Sequence, residues 1–155
     1  MLSQRCRYAL KALINLARAS GGSRGVSVIA AEENIPRKFL EAIMSDLRRA
    51  GLVESTRGKS GGYRLARPAN LITFGQVIRP IDGPLALLPC ASINFYRRCI
   101  DCPDELGCAL RRVMTAVRND VSEILDRTTL ADAIAGPTAE AMLARTLSEV
   151  DLPER

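Results

Sequence analysis

The sequence contains no histidine, and this absence narrows the chemistry that the chain can perform. Histidine is the side chain that most often acts as a general base near neutral pH, and it is a common metal ligand. A phosphate-binding loop is missing as well. The glycines of the segment RGKSGG are not followed by a Lys-Ser or Lys-Thr pair at the required spacing, nor by a helical pattern. We therefore predict that the protein is not an enzyme.

Long apolar runs are also missing. No stretch of about 18 uncharged apolar residues occurs, which predicts that the chain does not enter a membrane. Basic residues interrupt the apolar residues of the N-terminal segment, which a secretory signal would not tolerate. The five cysteines are an odd number and four of them are crowded together, which argues against a disulfide scaffold. These features predict a cytoplasmic protein with reduced thiols.

Acidic residues are scarce in the first part of the chain. Residues 1–67 carry 13 Lys or Arg against 5 Asp or Glu, whereas residues 68–155 carry 9 against 12. The net charge of +5 is therefore the balance of a basic first half and a slightly acidic second half. Positive charge concentrated in one part of a chain is expected where a domain meets a polyanion such as DNA. A basic face can also simply increase solubility.

Three helices are predicted near the N-terminus. Apolar residues at helical spacing predict a helix over residues 4–19, which a pair of glycines ends. Ser27 can cap a second, short helix over residues 27–33. Pro36 suits the first position of a third helix over residues 36–50, because its ring presets the helical φ. Two helices joined by so tight a turn indicate a helix-turn-helix.

A β-hairpin with a basic, glycine-rich tip is predicted next, with strands at residues 52–55 and 63–66. A helix, a helix-turn-helix and a hairpin, in this order, predict a winged-helix domain that binds double-stranded operator DNA. The third helix would enter the major groove and the wing the minor groove. Each basic side chain in these elements could instead be a solvated surface charge. The residues predicted to contact DNA are Arg37, Lys38, Arg48 and Arg49 on the third helix, Arg57 and Lys59 on the wing, and Arg7 on the first helix.

Four cysteines, Cys90, Cys99, Cys102 and Cys108, lie within nineteen residues. Their gaps of eight, two and five residues allow one irregular loop to bring the four thiols to a common centre, as a thiolate metal site requires. Cys99 and Cys102 form a CxxC pair, a spacing common among metal ligands. The sequence therefore predicts a metal-binding loop.

A long amphipathic helix follows directly, from Ala109 to about Arg127, with apolar residues at a period near 3.5. Such a stripe needs a second surface. The same helix of a second protomer, crossing antiparallel at a two-fold axis, would provide it; the alternative is that the helix folds back on its own domain. The residues predicted to form the interface of a homodimer are Leu110, Val113, Met114, Val117, Val121 and Ile124.

The predicted fold is mainly α with a small β-hairpin wing: a winged helix-turn-helix domain plus a long dimerisation helix. The boundaries that follow are residues 1–80 for the DNA-binding domain, 81–108 for the cysteine-rich loop, 109–131 for the dimerisation helix and 132–155 for a C-terminal tail. The tail contains a possible helix over residues 138–149.

Three features together resemble a family of winged-helix bacterial transcription regulators, the Rrf family, to which IscR, NsrR and RirA belong. They are RYALKALINLA at residues 7–17, LRRAGLVESTRGKSGGYRLARP at residues 47–68, and the spaced cysteines before a long helix. The resemblance covers about residues 2–132. It implies a homodimeric repressor or activator whose affinity for its operator is controlled by an iron-sulfur cluster in the cysteine loop.

This sequence departs from the family pattern at the cysteines. The family usually has three, which Cys90, Cys102 and Cys108 match, together with a noncysteine fourth ligand such as a histidine. Here Cys99 is additional and histidine is absent. Either Cys99 completes a set of four cysteines, or Cys6 or another N-terminal side chain of the partner subunit supplies the fourth bond. The spacing does not distinguish a 2Fe-2S from a 4Fe-4S cluster.

Other interpretations of the loop stay open. Four cysteines could hold structural zinc, although zinc sites usually pair two short CxxC knuckles. A metal-free loop could sense oxidants through disulfide formation, and Arg97 and Arg98 could lower the pKa of the Cys99 thiol beside them. An iron-sulfur electron carrier or thiol oxidoreductase would not need a basic winged helix. Cys6, apart from the cluster, is expected to be a small buried apolar residue.

Overall fold

The computed structural model describes residues 2–19, 21–56, 58 and 61–136. The predicted helix over residues 138–149 and the wing residues Arg57 and Lys59 lie outside them. The described part contains six α-helices and two antiparallel β-strands. The helices are α1 (Gln4–Arg18), α2 (Val26–Glu33), α3 (Arg37–Arg49), α4 (Phe74–Asp82), α5 (Ala109–Arg127) and α6 (Leu130–Ala135), and the strands are β1 (Val53–Thr56) and β2 (Gly62–Leu65).

The first three helices form the expected helix-turn-helix, with two corrections at their starts. Gly25, not Ser27, precedes α2, because the chain is extended up to Gly25 and the helix begins as soon as this extended segment ends. Pro36 is the residue before α3 rather than its first residue, since its ψ of 123° is extended. Between the two helices, Asn34 takes a left-handed conformation (φ 53°) and Ile35 turns into the core.

The core lies where α1, α2, α3 and α4 meet. α3 shows why these segments become helices: its buried side chains recur every three or four residues, so they form one apolar face. Each fully buried aliphatic side chain contributes roughly 1.5–3 kcal/mol to stability. The largest fully buried side chains of the first three helices are Leu13, Leu16, Ile29, Leu40, Ile43, Met44 and Leu47.

The wing consists of β1 and β2, with Val53 opposite Leu65 and Thr56 opposite Gly62. Arg24 adds a third, single-residue strand, because its backbone exchanges hydrogen bonds of 2.9 Å and 2.8 Å with Tyr63. Gly62 has no room for a side chain, since a Cβ there would overlap the carbonyl group of Arg24. The wing is therefore fixed to the segment that leads into α2.

The second half of the chain returns to the first through α6, an element that the sequence did not predict. Phe74 N donates to Thr128 O at 2.9 Å, and Leu130 N donates to Ile72 O at 2.9 Å. These two hydrogen bonds join the segment between α5 and α6 to the start of α4. Leu130 is fully buried in the core. α5 has the predicted bounds, but none of its 19 residues is fully buried. No helix in the described ranges is long and apolar enough to cross a membrane.

Candidate functional site

α3 presents a polar face directly opposite its buried one. Lys38, Ala42, Ser45 and Arg49 follow at spacings of four, three and four residues and form this face. Ala42 and Ser45 are small, so the middle of the helix could come close to a groove of DNA. The predicted contacts on α3 were all charged residues and did not include these two, although the helical spacing from Lys38 points to them.

The predicted basic residues of α3 differ in whether their charged groups already have a partner within the protein. Lys38 is exposed, and no described carboxylate pairs with it. Arg37 Nε lies 2.9 Å from Glu41 Oε1, in an exposed pair of the kind that contributes little to stability. Arg48 donates a long hydrogen bond of 3.4 Å to Ser55 Oγ on β1 of the wing. Lys38 therefore carries the most available charge at the start of α3.

Asp46 neutralises part of the charge at the far end of α3. It forms ion pairs with Arg49 on its own helix and with Arg5 of α1, and its side chain is only 18% exposed. Because two arginines share this one carboxylate, a net positive charge remains at this end of α3, and Arg5 ties α1 to α3 through Asp46. Arg7, the predicted contact on α1, is exposed and has no ion-pair partner among the residues described.

The two strands of the wing carry almost no net charge, because their one basic residue and their one acidic residue pair with each other. Arg64 and Glu54 face each other across the two strands, with Arg64 Nη2 2.8 Å from Glu54 Oε2. The tip turns back at Gly58, whose φ of 109° is one that side-chain-bearing residues rarely adopt. Gly61 N donates to Gly58 O at 2.8 Å and closes this turn.

The four thiols of the cysteine loop lie near one another. Cys99 interacts most strongly with Cys90 and also with Cys102, and Cys102 interacts with Cys108. Cys90 is buried in a single 3-10 turn (Pro89–Ala91), whereas the other three are partly exposed. Within the described ranges, no three Cys, Asp or Glu side chains converge closely enough to hold a metal ion. The single four-thiol centre expected from the spacing is therefore not preassembled.

The expected effect of Arg97 and Arg98 on Cys99 is wrong in sign. The pKa of Cys99 is raised, first by its interaction with Cys90, then by partial burial and by nearby negative charge. Arg98 is directed elsewhere, because its Nη2 donates to Cys102 O at 3.2 Å. The pKa of Cys102 is raised as well, by burial and by Cys108. Both thiols are therefore held in the protonated form.

Arg111, which was not among the predicted site residues, connects the loop to α5. Its Nε donates to Cys90 O at 3.0 Å and its Nη1 to Glu105 O at 3.4 Å. Its guanidinium carbon lies 5.8 Å from the centre of the Tyr96 ring. At the start of α5, Cys108 Sγ accepts from Arg111 N at 3.5 Å and so caps the helix. Nothing in the sequence pattern distinguishes Arg111 from the other arginines of α5.

Cys6 stands apart from the loop. Its side chain is fully buried in α1, as expected for a small apolar residue. Burial, with the nearby Asp82 carboxylate, raises the pKa of the Cys6 thiol to about 12. A thiol that is both buried and protonated is a poor metal ligand, which leaves Cys99 as the better candidate for a fourth cysteine.

The apolar stripe of α5 has no cover within the described chain. Leu110, Val113, Val121 and Ile124 are 59%, 52%, 38% and 47% exposed, while Met114 and Val117 are half-buried. Four large apolar side chains in a row on one helix face are unusual for a surface that stays in water. Among the described residues, the stripe is therefore left uncovered by its own domain.

Comparison with known proteins identifies related transcriptional regulators. Residues 2–136 match the profile of Rrf2, described as an iron-dependent transcriptional regulator. An rrf2-like HTH-type transcriptional regulator of Rhodobacter capsulatus is 41% identical over 147 residues, which cover 92% of this chain and 98% of that protein.

Two solved structures share the fold. The structure of CymR, the global cysteine regulator of Bacillus subtilis, is similar with a TM-score of 0.73 and 35% identity, and the match covers 87% of this chain and 96% of CymR. The structure of IscR from T. potens is similar with a TM-score of 0.65 and 27% identity, over 100% of this chain and 93% of IscR.

Proposed function

Because the chain belongs to the Rrf2 family of transcriptional regulators, we propose that it is a homodimer that binds operator DNA under the control of an iron-sulfur cluster. The regulator carries the winged-helix domain that such binding needs. The protein would act in the cytoplasm, where its operator DNA is found and where the four free thiols of the loop stay reduced. The operator contacts, the dimer and the cluster are each supported by a different part of the chain.

The polar face of α3 supports the DNA contact. A helix with Lys38 at its start and small side chains at Ala42 and Ser45 can lie deep in a major groove, where base edges are read. Arg48 and the wing residue Arg57 would then contact phosphates on either side. In a two-fold dimer, two such helices would read half-sites about one helical turn apart.

The uncovered stripe of α5 supports the dimer. Two copies of α5 packed antiparallel would bury Leu110, Val113, Val121 and Ile124, which are otherwise exposed to water. Removing apolar area from water at roughly 25 cal/mol per Å² stabilises such an interface. The same contact would fix the distance between the two copies of α3.

The chemistry of the loop fits an iron-sulfur cluster. Cys90, Cys99, Cys102 and Cys108 are four free thiols on one segment, and four thiolates are the usual ligand set of 2Fe-2S and 4Fe-4S clusters. A bound cluster would supply an iron centre that responds to oxidants, nitric oxide or iron supply. To hold it, the Cys90–Cys99 and Cys102–Cys108 pairs would have to come closer together.

The attachment of the loop to α5 suggests how the signal would reach the DNA. Cys108 caps α5, and Arg111 holds the backbone of Cys90. Drawing the thiols together would therefore move the start of the dimerisation helix. A change at α5 alters the spacing of the two recognition helices, so that one of two geometries fits the operator.

The pairing of the thiols favours a second candidate, a metal-free switch. Oxidation by a peroxide would convert Cys90 with Cys99, or Cys102 with Cys108, into a disulfide, with two electrons and two protons passing to the peroxide. The raised pKa values of Cys99 and Cys102 would slow this reaction, because the thiolate is the reactive form.

One analysis distinguishes the two candidates: iron, acid-labile sulfide, zinc and free thiols per protomer in protein purified without oxygen. Iron and sulfide in matched amounts are expected, and their stoichiometry gives the cluster type. No metal, with two thiols lost per disulfide after peroxide treatment, would favour the switch. Zinc alone would contradict both. Operator binding is then compared for the loaded and the stripped protein by fluorescence anisotropy; equal affinities would contradict control by the cluster.

A further inference from the structure

A cavity of about 330 Å³ lies between the C-terminal end of α4, the segment from Gly83 to Phe95, and α5. Its size is in the range of pockets that bind small molecules. None of its lining side chains belongs to the predicted DNA contacts, thiols or dimer stripe. The polar lining residues are Arg79, Ser92, Asn94, Arg118, Asn119, Ser122 and Asp126, and the apolar ones include Leu85, Ile93 and Phe95.

The two arginines of the cavity differ in one respect. Arg79 is fully matched by Asp126, with Nη1–Oδ1 at 2.6 Å and Nη2–Oδ2 at 2.7 Å. Arg118 has no such partner: its Nε is buried without a hydrogen bond, and no carboxylate of the described residues pairs with it. A buried donor without an acceptor is unfavourable. Arg118 therefore brings to the cavity a positive charge that no described carboxylate neutralises.

The cavity adjoins the apolar stripe of α5. Arg118, Ser122 and Asp126 follow at intervals of four residues, so they share one face of α5. Met114 and Val121 of the stripe lie four and three residues from Arg118, so the stripe borders this face. In the proposed dimer the second protomer would therefore lie beside the cavity, next to Arg118.

We propose that this cavity binds a small monocarboxylate. The guanidinium of Arg118 would donate to both carboxylate oxygens, which matches the fork of an arginine better than any neutral acceptor does. Asn94 and Asn119 are placed to bind polar atoms of the same ligand, and Ile93 with Phe95 provides an apolar wall for its carbon atoms.

The cavity shares a wall with the cysteine loop. Ser92 and Phe95 line it directly after Cys90, and Phe95 N donates to Ser92 Oγ at 3.1 Å. A ligand bound there would hold this part of the loop against α5. The regulatory consequence rests on the proposed function: occupancy would change the affinity for the operator, and by thermodynamic reciprocity the operator would change the affinity for the carboxylate.

The test is calorimetric titration of the full-length protein, without DNA, with acetate, pyruvate, L-lactate and L-alanine. Lactamide, which lacks the charge, and sulfate, an anion of different shape, serve as comparison ligands. Saturable binding of at least one carboxylate, with no comparable binding of lactamide or sulfate, is the expected result. Absence of binding by all four carboxylates at millimolar concentration, or equal binding of sulfate, would overturn the proposal.

Variants assign the binding to the cavity. Arg118→Met keeps the length of the side chain and should weaken carboxylate binding about tenfold or more, since a charge-assisted bidentate contact is lost. Arg118→Lys should weaken it less. Arg112→Met, an exposed position on the same helix, should bind as the wild type does. Equal affinity in Arg118→Met and Arg112→Met would refute the site. Because no DNA is present, these outcomes are independent of operator binding.

Discussion

Arg79 of α4 and Asp126 of α5 form a two-point ion pair that fastens the long helix to the DNA-binding domain. The hydrogen bonds from Arg79 hold the pKa of Asp126 below its ordinary value of 3.8. The stability from this pair is therefore present above about pH 4 and is lost as the pH falls through the lowered pKa of Asp126. Both groups are partly exposed, so the pair contributes about 1 kcal/mol or less. Its main effect is on the position of α5.

Gly75 allows the ion pair to form, because a Cβ at this position would overlap the Asp126 carboxylate and crowd the Arg79 guanidinium. We expect Gly75→Ala to separate the pair, loosen α5 and weaken operator binding several-fold. Gly25→Ala is a suitable control, since a Cβ there meets open space. Operator affinity is measured by fluorescence anisotropy, and stability by thermal unfolding.

A double variant tests whether Gly75 acts through Asp126. Asp126→Ala removes the overlap together with the ion pair, so adding Gly75→Ala to Asp126→Ala should change the affinity little further. Fully additive losses in the double variant would contradict this explanation of Gly75.

Lys38 is predicted to contact a phosphate or a base edge, because it has the most available charge at the start of α3. Lys38→Ala should weaken operator binding and, if the contact is to a phosphate, flatten the dependence of log affinity on log salt by about one unit. Arg127→Ala is a matched control, since Arg127 is exposed on α5 and paired with Glu123. Unchanged affinity in Lys38→Ala would remove this residue from the interface.

The Cys6 thiol makes stability sensitive to alkaline pH. Its pKa is about 12 in the folded protein against 9.0 for an ordinary thiol, so the folded state retains a proton that the unfolded state releases above pH 9. The stabilising contribution is complete below pH 9 and is lost as the pH rises towards 12, at up to about 1.4 kcal/mol per pH unit.

Cys6→Ala isolates this effect, because both proteins share every other titrating group. At neutral pH the variant should be less stable by about 1 kcal/mol, the usual effect of a small cavity. Urea unfolding between about pH 8 and about pH 11 should then show the wild type losing its advantage near about pH 10 and becoming the less stable protein by about pH 11, because a loss of about 1.4 kcal/mol per pH unit above pH 9 exceeds the cavity effect. A constant difference across this range would mean that Cys6 keeps an ordinary pKa.

What the sequence predicted correctly depends on local patterns. The bounds of α5, Ala109–Arg127, follow from an apolar period that is interrupted at both ends. The helix-turn-helix and the hairpin also come from short-range signals. By contrast, α6 joins the core only because Leu130 meets residues distant in the sequence, and the unpaired Arg118 is visible only once three segments have come together. The pairing of Cys90 with Cys99 likewise depends on how the loop closes against Arg111, which spacing alone does not encode.

The dimer is tested on α5. Val113 is 52% exposed on the stripe, and Val113→Glu would place a charge in the middle of the proposed interface. We expect the variant to sediment as a monomer and to bind the operator much more weakly. Arg112→Glu, at an exposed position on the opposite side of the same helix, should remain dimeric. If Val113→Glu sediments like the wild type, the stripe is not the interface.

Cys99 decides between the two ligand sets that the sequence left open. In a set of four loop cysteines, Cys99→Ser should lower the iron content and the visible absorbance of anaerobically purified protein, because serine is a much weaker ligand for iron. If a group from the partner subunit supplies the fourth bond instead, Cys99→Ser should keep its full iron content. Cys102→Ser should lose iron in either case and is the positive control. Cys6→Ala should keep its iron, since the Cys6 thiol is fully buried away from the loop; loss of iron in Cys6→Ala with normal iron in Cys99→Ser would reverse the assignment.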